Sequence, residues 1–542
     1  MFKKGGFLLM GTLWFGGQIY TMGKEGEAAE AVYTENDTIR AVGTYDLLYH
    51  DYYQYIDQEI NLLGKTMLPG FIDSHLHIIR HGLKLLRLDL SQMKSAEAVK
   101  NALRNRTANL KKGEWLIGEG WNENQWGDPS IIHKNELDEI SPDHPVMLTR
   151  ICRHAVIANS KAIELAGVDE HTGNPQGGII VRDDLGETTG YFLDTAQEMI
   201  KDAMPTVSKG YLEQVIKIAI DDLLSKGLVG GHTEDLNYYG GFHKTYSAFK
   251  NTINNDRKFK AHLLVHHEVM EDMAEANLGY SDGTAYVEMG AVKIFADGAL
   301  GGRTAWLTAD YADDPGNKGV AIHELENLEG IVKRARQHQL PVAVHVIGDR
   351  AVEEIAKVLK KFPLTTGARD RIIHGQILNE HALKMLEGLP IIVDVQPSFV
   401  TSDFPWAIER IGEKRMELAY AWKTMLENGI HCAGGSDAPI EEVSPLLGIQ
   451  AAVSRKSSYD GKIYGSEEKL SIYEAIQLYT VGSAYAINQE KDRGIIAENY
   501  KADFTILAED IFQTDAEKIH EIPIHMTVID GEVVYQENPY HV

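Results

Sequence analysis

The chain has 542 residues, of which 44% are hydrophobic and 24% charged, and its formal net charge at pH 7 is -26. This composition is typical of a soluble globular protein with one large domain and smaller appendages, and the negative charge argues against binding to nucleic acid or anionic membranes. The two cysteines, Cys152 and Cys432, cannot supply a disulfide framework or a cysteine-based zinc site, which fits a reducing cytoplasm.

The N-terminal segment carries short apolar runs of β character. Two lysines precede the run from Phe7 to Phe15, as in a signal peptide, but glycines interrupt it and no small-residue cleavage site is evident. We therefore predict a pair of strands that turns at Gly16 and Gly17. No run reaches the ~20 apolar residues that span a bilayer. The sequence thus predicts a soluble protein located in the cytoplasm.

The segment from Leu68 to His77 reads as a buried strand that ends in a His-x-His motif. Residues two apart on a strand point to the same face, so His75 and His77 are expected to converge. Two converging imidazoles suit zinc or a similar divalent ion. The motif alone is weak evidence, because many histidines only pack or form hydrogen bonds.

Seven further apolar runs, bounded by Gly, Asp or His, follow at intervals along the chain. They cover residues 228–232, 260–266, 290–295, 341–346, 371–374, 391–396 and 431–434. Amphipathic helical patterns, such as those around residues 328–335 and 350–362, lie between several of them. Eight strands alternating with helices predict an α/β fold with a (β/α)8 TIM barrel.

Two regions depart from this alternation. Residues 92–205 are too long for a single βα loop and carry their own helix and strand patterns, which predicts an inserted subdomain. The two ends of the chain, 1–66 and 495–542, are rich in short β patterns and are expected to form one small β-sandwich domain. The barrel is then divided into residues 67–91, with the first strand, and residues 206–494.

Polar residues with metal-binding or catalytic potential follow several of the predicted barrel strands. In a barrel of this type the chemistry lies at the C-terminal ends of the strands. Each residue has a simple structural alternative, such as a packed histidine or an aspartate that caps a helix. Their joint occurrence at one face predicts a metal site, formed by His75, His77, Lys293, His345, His374 and Asp437.

Several motifs resemble those of the amidohydrolase superfamily of metal-dependent hydrolases, in particular the group with YtcJ-like proteins and N-substituted formamide deformylase. The matching segments are 69–77, 120–126, 154–160, 292–304, 344–345, 374–376 and 435–437. The resemblance covers nearly the whole chain. It is specific for the superfamily and not for a substrate.

The resemblance implies a role for each residue of the predicted site. His75, His77 and Asp437 would bind a first metal, and His345 and His374 a second. Lys293, carboxylated by CO2, would bridge them as an anionic carbamate. The implied ions are two zinc ions, although sites of this kind also accept Mn, Fe or Co. The alternative for Lys293 is a lysine paired with Asp297, which leaves a one-metal site.

The implied chemistry is hydrolysis by a metal-activated water. Asp437 would accept a proton from this water and later protonate the leaving amine. We therefore predict a hydrolase that cleaves a non-peptide C–N bond of a small molecule, such as an N-substituted formamide or an N-acyl amine. Cleavage of a cyclic amide, carbamate or ester by the same centre remains an alternative, and so does a non-catalytic metal-binding regulator.

Further residues are candidates for substrate binding. Trp121 and His154 lie in the predicted insert, where they cover the mouth of the barrel or simply pack within the subdomain. Arg303 either pairs with a substrate or ties its own loop to a carboxylate, and Gln396 either faces the pocket or ends a strand. The expected partner is a small molecule and neither nucleic acid nor membrane. The sequence leaves the oligomeric state open, a homo-oligomer included.

Overall fold

The computed structural model describes residues 11–108, 110, 113–152, 154–204 and 208–537. The chain forms two compact units. One contains the described residues from Gly11 to His81 together with those from Leu212 to Glu537, and the other contains the described residues from Gly82 to Tyr211. Within the described residues, no helix is long and apolar enough to cross a membrane.

A parallel eight-stranded sheet forms the centre of the larger unit. Its strands are β1 (Phe71–Leu76), β2 (Leu228–Glu234), β3 (Lys260–His266), β4 (Val287–Phe295), β5 (Val342–Val346), β6 (Asp370–His374), β7 (Ile391–Val395) and β8 (His431–Gly434). Each strand is hydrogen-bonded to the next one in chain order. The predicted (β/α)8 barrel and its eight strands are thus confirmed.

Helices connect most of these strands. Their apolar residues recur at helical spacing and face the sheet, as in Asp349–Lys361, where Val352, Ile355 and Leu359 are buried. The helices of the barrel region are Ile78–Leu86, Lys209–Ser225, Phe242–Thr252, Met270–Glu275, Leu325–Gln337, Asp349–Lys361, Glu380–Leu386, Phe399–Asp403, Trp406–Ile411, Trp422–Glu427, Pro445–Ser454, Ile472–Gln477, a π-helical turn at Leu478–Gly482, and Ser483–Ala486.

The two ends of the chain share one sheet beside the barrel strands. In spatial order its strands are Glu532–Gln536, Ile524–Ile529, Phe504–Leu507, Thr66–Pro69, Gly11–Tyr20, Ala28–Glu35 and Thr38–Gly43, with Gln58–Asn61 also paired to Gly11–Tyr20. The antiparallel pairing of Thr66–Pro69 with Phe504–Leu507 joins the N-terminal part to the C-terminal part. Trp14, Val32 and Phe504 lie together in its apolar core, and Tyr45–Tyr52 is its helix.

The predicted turn at Gly16 and Gly17 is wrong. Gly11–Tyr20 is one strand that pairs along its length with Ala28–Glu35, and a register irregularity lies between Phe15 and Ile19. Gly16 has a φ of +76°, a conformation that suits glycine and here accommodates a bulge instead of a chain reversal. The start of the predicted strand pair, at Phe7, lies outside the described residues.

The smaller unit has its own six-stranded sheet. In spatial order the strands are Gly178–Arg182, Thr188–Asp194, Ala155–Ala158, Val146–Arg150, Leu116–Trp121 and Leu88–Asp89. Its helices are Ala96–Thr107, Lys134–Ile140, Ser160–Leu165 and Ala196–Asp202. Apolar side chains of the sheet and helices form cores within this unit.

Candidate metal centre

The His-x-His pair lies at the C-terminal end of β1, and both rings face one carboxylate. Nε2 of His77 is 3.3 Å from Oδ1 of Asp437, and Nε2 of His75 is 3.5 Å from the same oxygen. Nδ1 of His77 lies 2.7 Å from the carbonyl oxygen of Glu234 and donates its hydrogen to it. This hydrogen bond leaves Nε2 of His77 directed towards Asp437. Burial acts to lower the pKa of His77, but the hydrogen bond with Asp437 and the nearby carboxylates raise it above its usual value.

Asp437 follows β8 and is fixed by its backbone. Its N–H donates to the carbonyl oxygen of His75 at 2.7 Å, and the N–H of His77 donates to the carbonyl oxygen of Ala438 at 2.8 Å. The φ of Asp437 is +55°, an uncommon value for this residue type. Burial acts to raise the pKa of Asp437, but hydrogen bonding by His77 and nearby positive charge lower it below its usual value. The side chain is therefore a carboxylate.

Lys293 lies on β4 and is almost completely buried, with 1% of its surface exposed. Its Nζ is 3.2 Å from Nε2 of His75. Burial lowers the pKa of Lys293 to about 8, against the opposing effect of Glu234 and Asp437. The uncharged amine is thus a larger fraction of this side chain near neutral pH than in an ordinary lysine, and the ammonium form still predominates.

His345 and His374, at the ends of β5 and β6, meet at 3.0 Å between Nδ1 of His345 and Nε2 of His374. The φ of His374 is +77°, which redirects its side chain relative to the regular strand. Burial lowers the pKa of both rings, that of His374 to about 4. Both are therefore neutral and able to offer a nitrogen lone pair. Two imidazole nitrogens that are 3.0 Å apart either share one proton or bind the same cation.

Two buried carboxylates, Asp297 and Asp73, hold the backbone beside these residues in place. The sequence suggested Asp297 only as a partner of Lys293, and it indicated no role for Asp73. Asp297 accepts hydrogen bonds from the backbone N–H groups of Trp306, Ile347 and Gly348, at 2.8–2.9 Å. Asp73 accepts the N–H of His75 at 3.0 Å and the hydroxyl hydrogen of Ser436 at 2.6 Å. In the sequence, the feature that could have identified both carboxylates is their position next to strand ends that carry predicted metal ligands.

The remaining predicted residues have different surroundings. Oε1 of Gln396 accepts a hydrogen bond from Nδ1 of His374 at 2.7 Å, so this side chain orients a ring of the site. Arg303 forms a bidentate ion pair with Asp313 in the loop after β4. In the smaller unit, Trp121 lies in an apolar core and donates to the carbonyl oxygen of Leu148.

His154 also belongs to the smaller unit. Its ring is largely exposed, and Nδ1 is 3.3 Å from a carboxylate oxygen of Asp194.

The donor set fits a divalent transition metal. One ring nitrogen each from His75 and His374 and one oxygen of Asp437 lie within 4.8 Å of one another. Two ligands of a tetrahedral zinc ion lie roughly 3.4 Å apart, close to the 3.3 and 3.5 Å that separate the rings of His77 and His75 from Asp437. Among the residues that the structure describes, the buried Nδ1 of His75 has no hydrogen-bond partner. The neutral imidazoles of His75 and His374 and the ionised carboxylate of Asp437 are ligands that such an ion prefers.

Comparison with known proteins finds similarity to amidohydrolases along most of the chain. The model of the amidohydrolase family matches residues 58–535. The chain is 48% identical to the putative amidohydrolase YtcJ of Bacillus subtilis (strain 168) over 534 residues, which cover 98% of this chain and 100% of the relative. It is 23% identical to the N-substituted formamide deformylase of Arthrobacter pascens over 501 residues, 88% of this chain and 90% of that protein.

A solved structure has the same architecture. An uncharacterized metal-dependent hydrolase from Pyrococcus horikoshii OT3 superimposes with a TM-score of 0.77 at 28% sequence identity, covering 93% of this chain and 99% of that one.

Proposed function

The chain belongs to the amidohydrolase family of metal-dependent hydrolases, and from this premise we propose that it cleaves a non-peptide C–N bond of a small molecule, such as an N-substituted formamide or an N-acyl amine. The observation that carries the proposal is the convergence of the imidazoles of His75 and His77 on the ionised carboxylate of Asp437, with the amine of the buried Lys293 beside His75. The relative that acts on N-substituted formamides supports this choice of bond.

We assign the ligands to two divalent ions, for which zinc is expected and Mn, Fe or Co are alternatives. His75, His77 and Asp437 would hold the first ion, and His345 and His374 the second. When bound, the ions would lower the pKa of a water molecule and polarise the carbonyl group of a substrate. Gln396 and the carbonyl oxygen of Glu234 orient two of the imidazoles through their Nδ1–H groups.

Lys293 is proposed to bridge the ions as a carbamate. The ammonium group would first lose one proton. The uncharged amine nitrogen would then form a bond to the carbon of CO2 as one C–O π bond breaks, and a second proton would leave the nitrogen, which gives an anionic carbamate with two ligand oxygens. Burial favours this change, because it disfavours the ammonium form and lowers the pKa of Lys293 to about 8.

Asp437 is proposed as the group that moves the proton. Its carboxylate is ionised and lies beside both rings of the His-x-His pair. It would accept the proton of the attacking water and deliver that proton to the nitrogen of the leaving amine. The hydrogen bond between its own N–H and the carbonyl oxygen of His75 keeps the carboxylate at this position.

Metal analysis and substrate turnover test the proposal. Protein purified without chelator should contain about two equivalents of metal, and His345→Asn should lose about one, whereas His338→Asn, a partly exposed control beside Glu271, should lose none. One equivalent in the unmodified protein, with an unmodified Lys293, would overturn the bridged centre.

Turnover is measured on a panel of N-formyl and N-acyl amines, with fluorescent detection of the primary amine released, beside cyclic amides, carbamates and esters. We expect release of amine from at least one N-formyl or N-acyl amine. Hydrolysis confined to esters would overturn the assignment to a C–N bond.

A further inference from the structure

His266 is a buried histidine that none of the roles above uses. It is the last residue of β3 and lies in register with Lys293 on β4. Residues in register on neighbouring parallel strands point to the same face of the sheet. Leu264, two residues earlier, packs against Ala291 in the interior of the barrel. The side chain of His266 therefore faces the interior, at the end of the barrel where the candidate metal centre lies.

The hydrogen bonds of His266 define which ring nitrogen carries its proton. Nδ1 accepts the backbone N–H of Glu268 at 3.3 Å and lies 3.3 Å from Nδ2 of Asn237. The same amide nitrogen of Asn237 donates to the carboxylate of Glu268 at 2.8 Å, which orients the amide. A nitrogen that accepts a backbone N–H carries no proton. The ring is therefore neutral with its hydrogen on Nε2, and burial, which lowers the pKa of His266 to about 4, supports this state.

Aromatic rings surround this donor on several sides. The ring of His266 lies 5.8 Å from that of Tyr238, 6.0 Å from that of Phe295 and 4.6 Å from that of His267, measured between centroids. The ring of Phe295 also contacts the ring of His345, with 5.3 Å between their centroids. The side chain of Phe295 therefore lies between His266 and the metal ligand His345. The hydroxyl of Tyr238 donates to Glu234 at 3.1 Å. The Nε2–H of His266 is a neutral donor, and the buried carboxylate of Glu234 lies beside the neighbouring Tyr238. Such a donor suits an uncharged oxygen, because the carboxylate repels an anion.

We propose that His266 is a substrate-binding residue that donates its Nε2–H to an uncharged oxygen of the substrate, such as a carbonyl oxygen. The inference rests on the proposed function and extends it, because it places a hydrogen-bonding subsite at the β3 side of the centre. Tyr238 and Phe295 flank this subsite and would contact apolar parts of the same molecule.

Kinetics on an N-acyl amine that the protein hydrolyses provide the first test. His266→Phe keeps a ring and removes the donor, so kcat/KM should fall about tenfold to a hundredfold, with unchanged metal content. His266→Gln keeps an N–H donor and should recover a large part of this loss. His338→Phe, at a partly exposed histidine, is the control. Equal kcat/KM for His266→Phe and the unmodified protein would overturn the proposal.

Nitrogen-15 NMR of the metal-loaded, histidine-labelled protein provides a test that needs no turnover. With the His266 signals assigned from the His266→Gln spectrum, Nε2 should be protonated and Nδ1 unprotonated at pH 7, and N-methylformamide should shift the Nε2–H resonance. A proton on Nδ1, or no shift with N-methylformamide, would overturn the subsite. If the substrate panel is inactive while the shift occurs, the proposed function fails and the subsite stands.

Discussion

The backbone N–H of Asp437 donates to the carbonyl oxygen of His75 across 2.7 Å, which joins the last strand of the barrel to the first. The hydrogen bond connects residues at opposite ends of the barrel sequence and places a carboxylate between two imidazoles. The contact between the last and the first strand region therefore also brings Asp437 to the candidate metal centre.

Replacement of Asp437 by Asn should abolish most of the hydrolytic activity. The amide cannot accept the proton of the attacking water, and general acid–base groups contribute about 10²–10⁴-fold to a rate. We expect kcat to fall about 10³-fold in assays on a substrate from the amine panel, with the protein still folded by circular dichroism. Asp57→Asn, in the terminal sheet, should leave kcat unchanged. Unchanged turnover in Asp437→Asn would contradict a catalytic role.

Reconstitution with metal should depend on CO2. If Lys293 binds as a carbamate, apo-protein loaded with zinc in CO2-depleted buffer should regain little activity, and added bicarbonate should restore it. Lys293→Met cannot form a carbamate and should stay inactive at every bicarbonate concentration. Mass spectrometry under native conditions should detect the added CO2. Full recovery without bicarbonate would favour the alternative of an unmodified lysine.

Replacement of Gln396 by Leu should weaken metal binding. Oε1 of Gln396 accepts the Nδ1–H of His374 at 2.7 Å and so keeps the lone pair on Nε2. Loss of such a partner commonly lowers metal affinity about 10–100-fold. Competition with a chromophoric chelator measures the change, and Gln396→Glu, which keeps an acceptor, should retain most of the affinity. Equal affinity for Gln396→Leu would show that the ring is oriented by other contacts.

Replacement of Asp73 by Ala should destabilise the barrel. The carboxylate accepts N–H groups from His75 and Ser436 and the Ser436 hydroxyl hydrogen, all buried. Leaving these donors unpaired should cost about 3 kcal/mol in the free energy of unfolding of the apo-protein, measured in urea. Asp57→Ala, which removes the partner of one N–H at Gly11, is the matched control with an expected loss of about 1 kcal/mol. Equal losses in the two variants would contradict the importance of Asp73.

Asp403 should make stability depend on pH. Burial raises the pKa of Asp403 to about 7, although Tyr420 and Gln376 donate hydrogen bonds to it, and Glu441 raises it further. Between about pH 4 and 7 the unfolded chain loses this proton while the folded protein keeps it, so stability falls as pH rises. Asp403→Asn resembles the protonated side chain. Its free energy of unfolding should therefore decrease less than that of the unmodified protein over this range in urea titrations, and parallel curves would contradict the prediction.

The sequence alone determined the order of the barrel strands and six polar residues at or near their ends. Apolar runs and helical periodicity are local properties, so they are visible in a single chain. A (β/α)8 barrel brings the C-terminal ends of its strands to one face, which is why the sequence is enough to group the predicted ligands from His75 to Asp437.

The contacts among these residues depend on the folded chain as a whole. Asp73 and Ser436, His77 and Glu234, and Lys293 and His75 are far apart in the sequence, and no local pattern encodes their hydrogen bonds. The tautomer of His266 depends in the same way on Glu268 and Asn237. The conformation at Gly16 also depends on a tertiary contact, because pairing with a second strand produces a bulge where the local sequence indicated a turn. Side-chain direction and proton position are set by packing, and packing exists only in the folded chain.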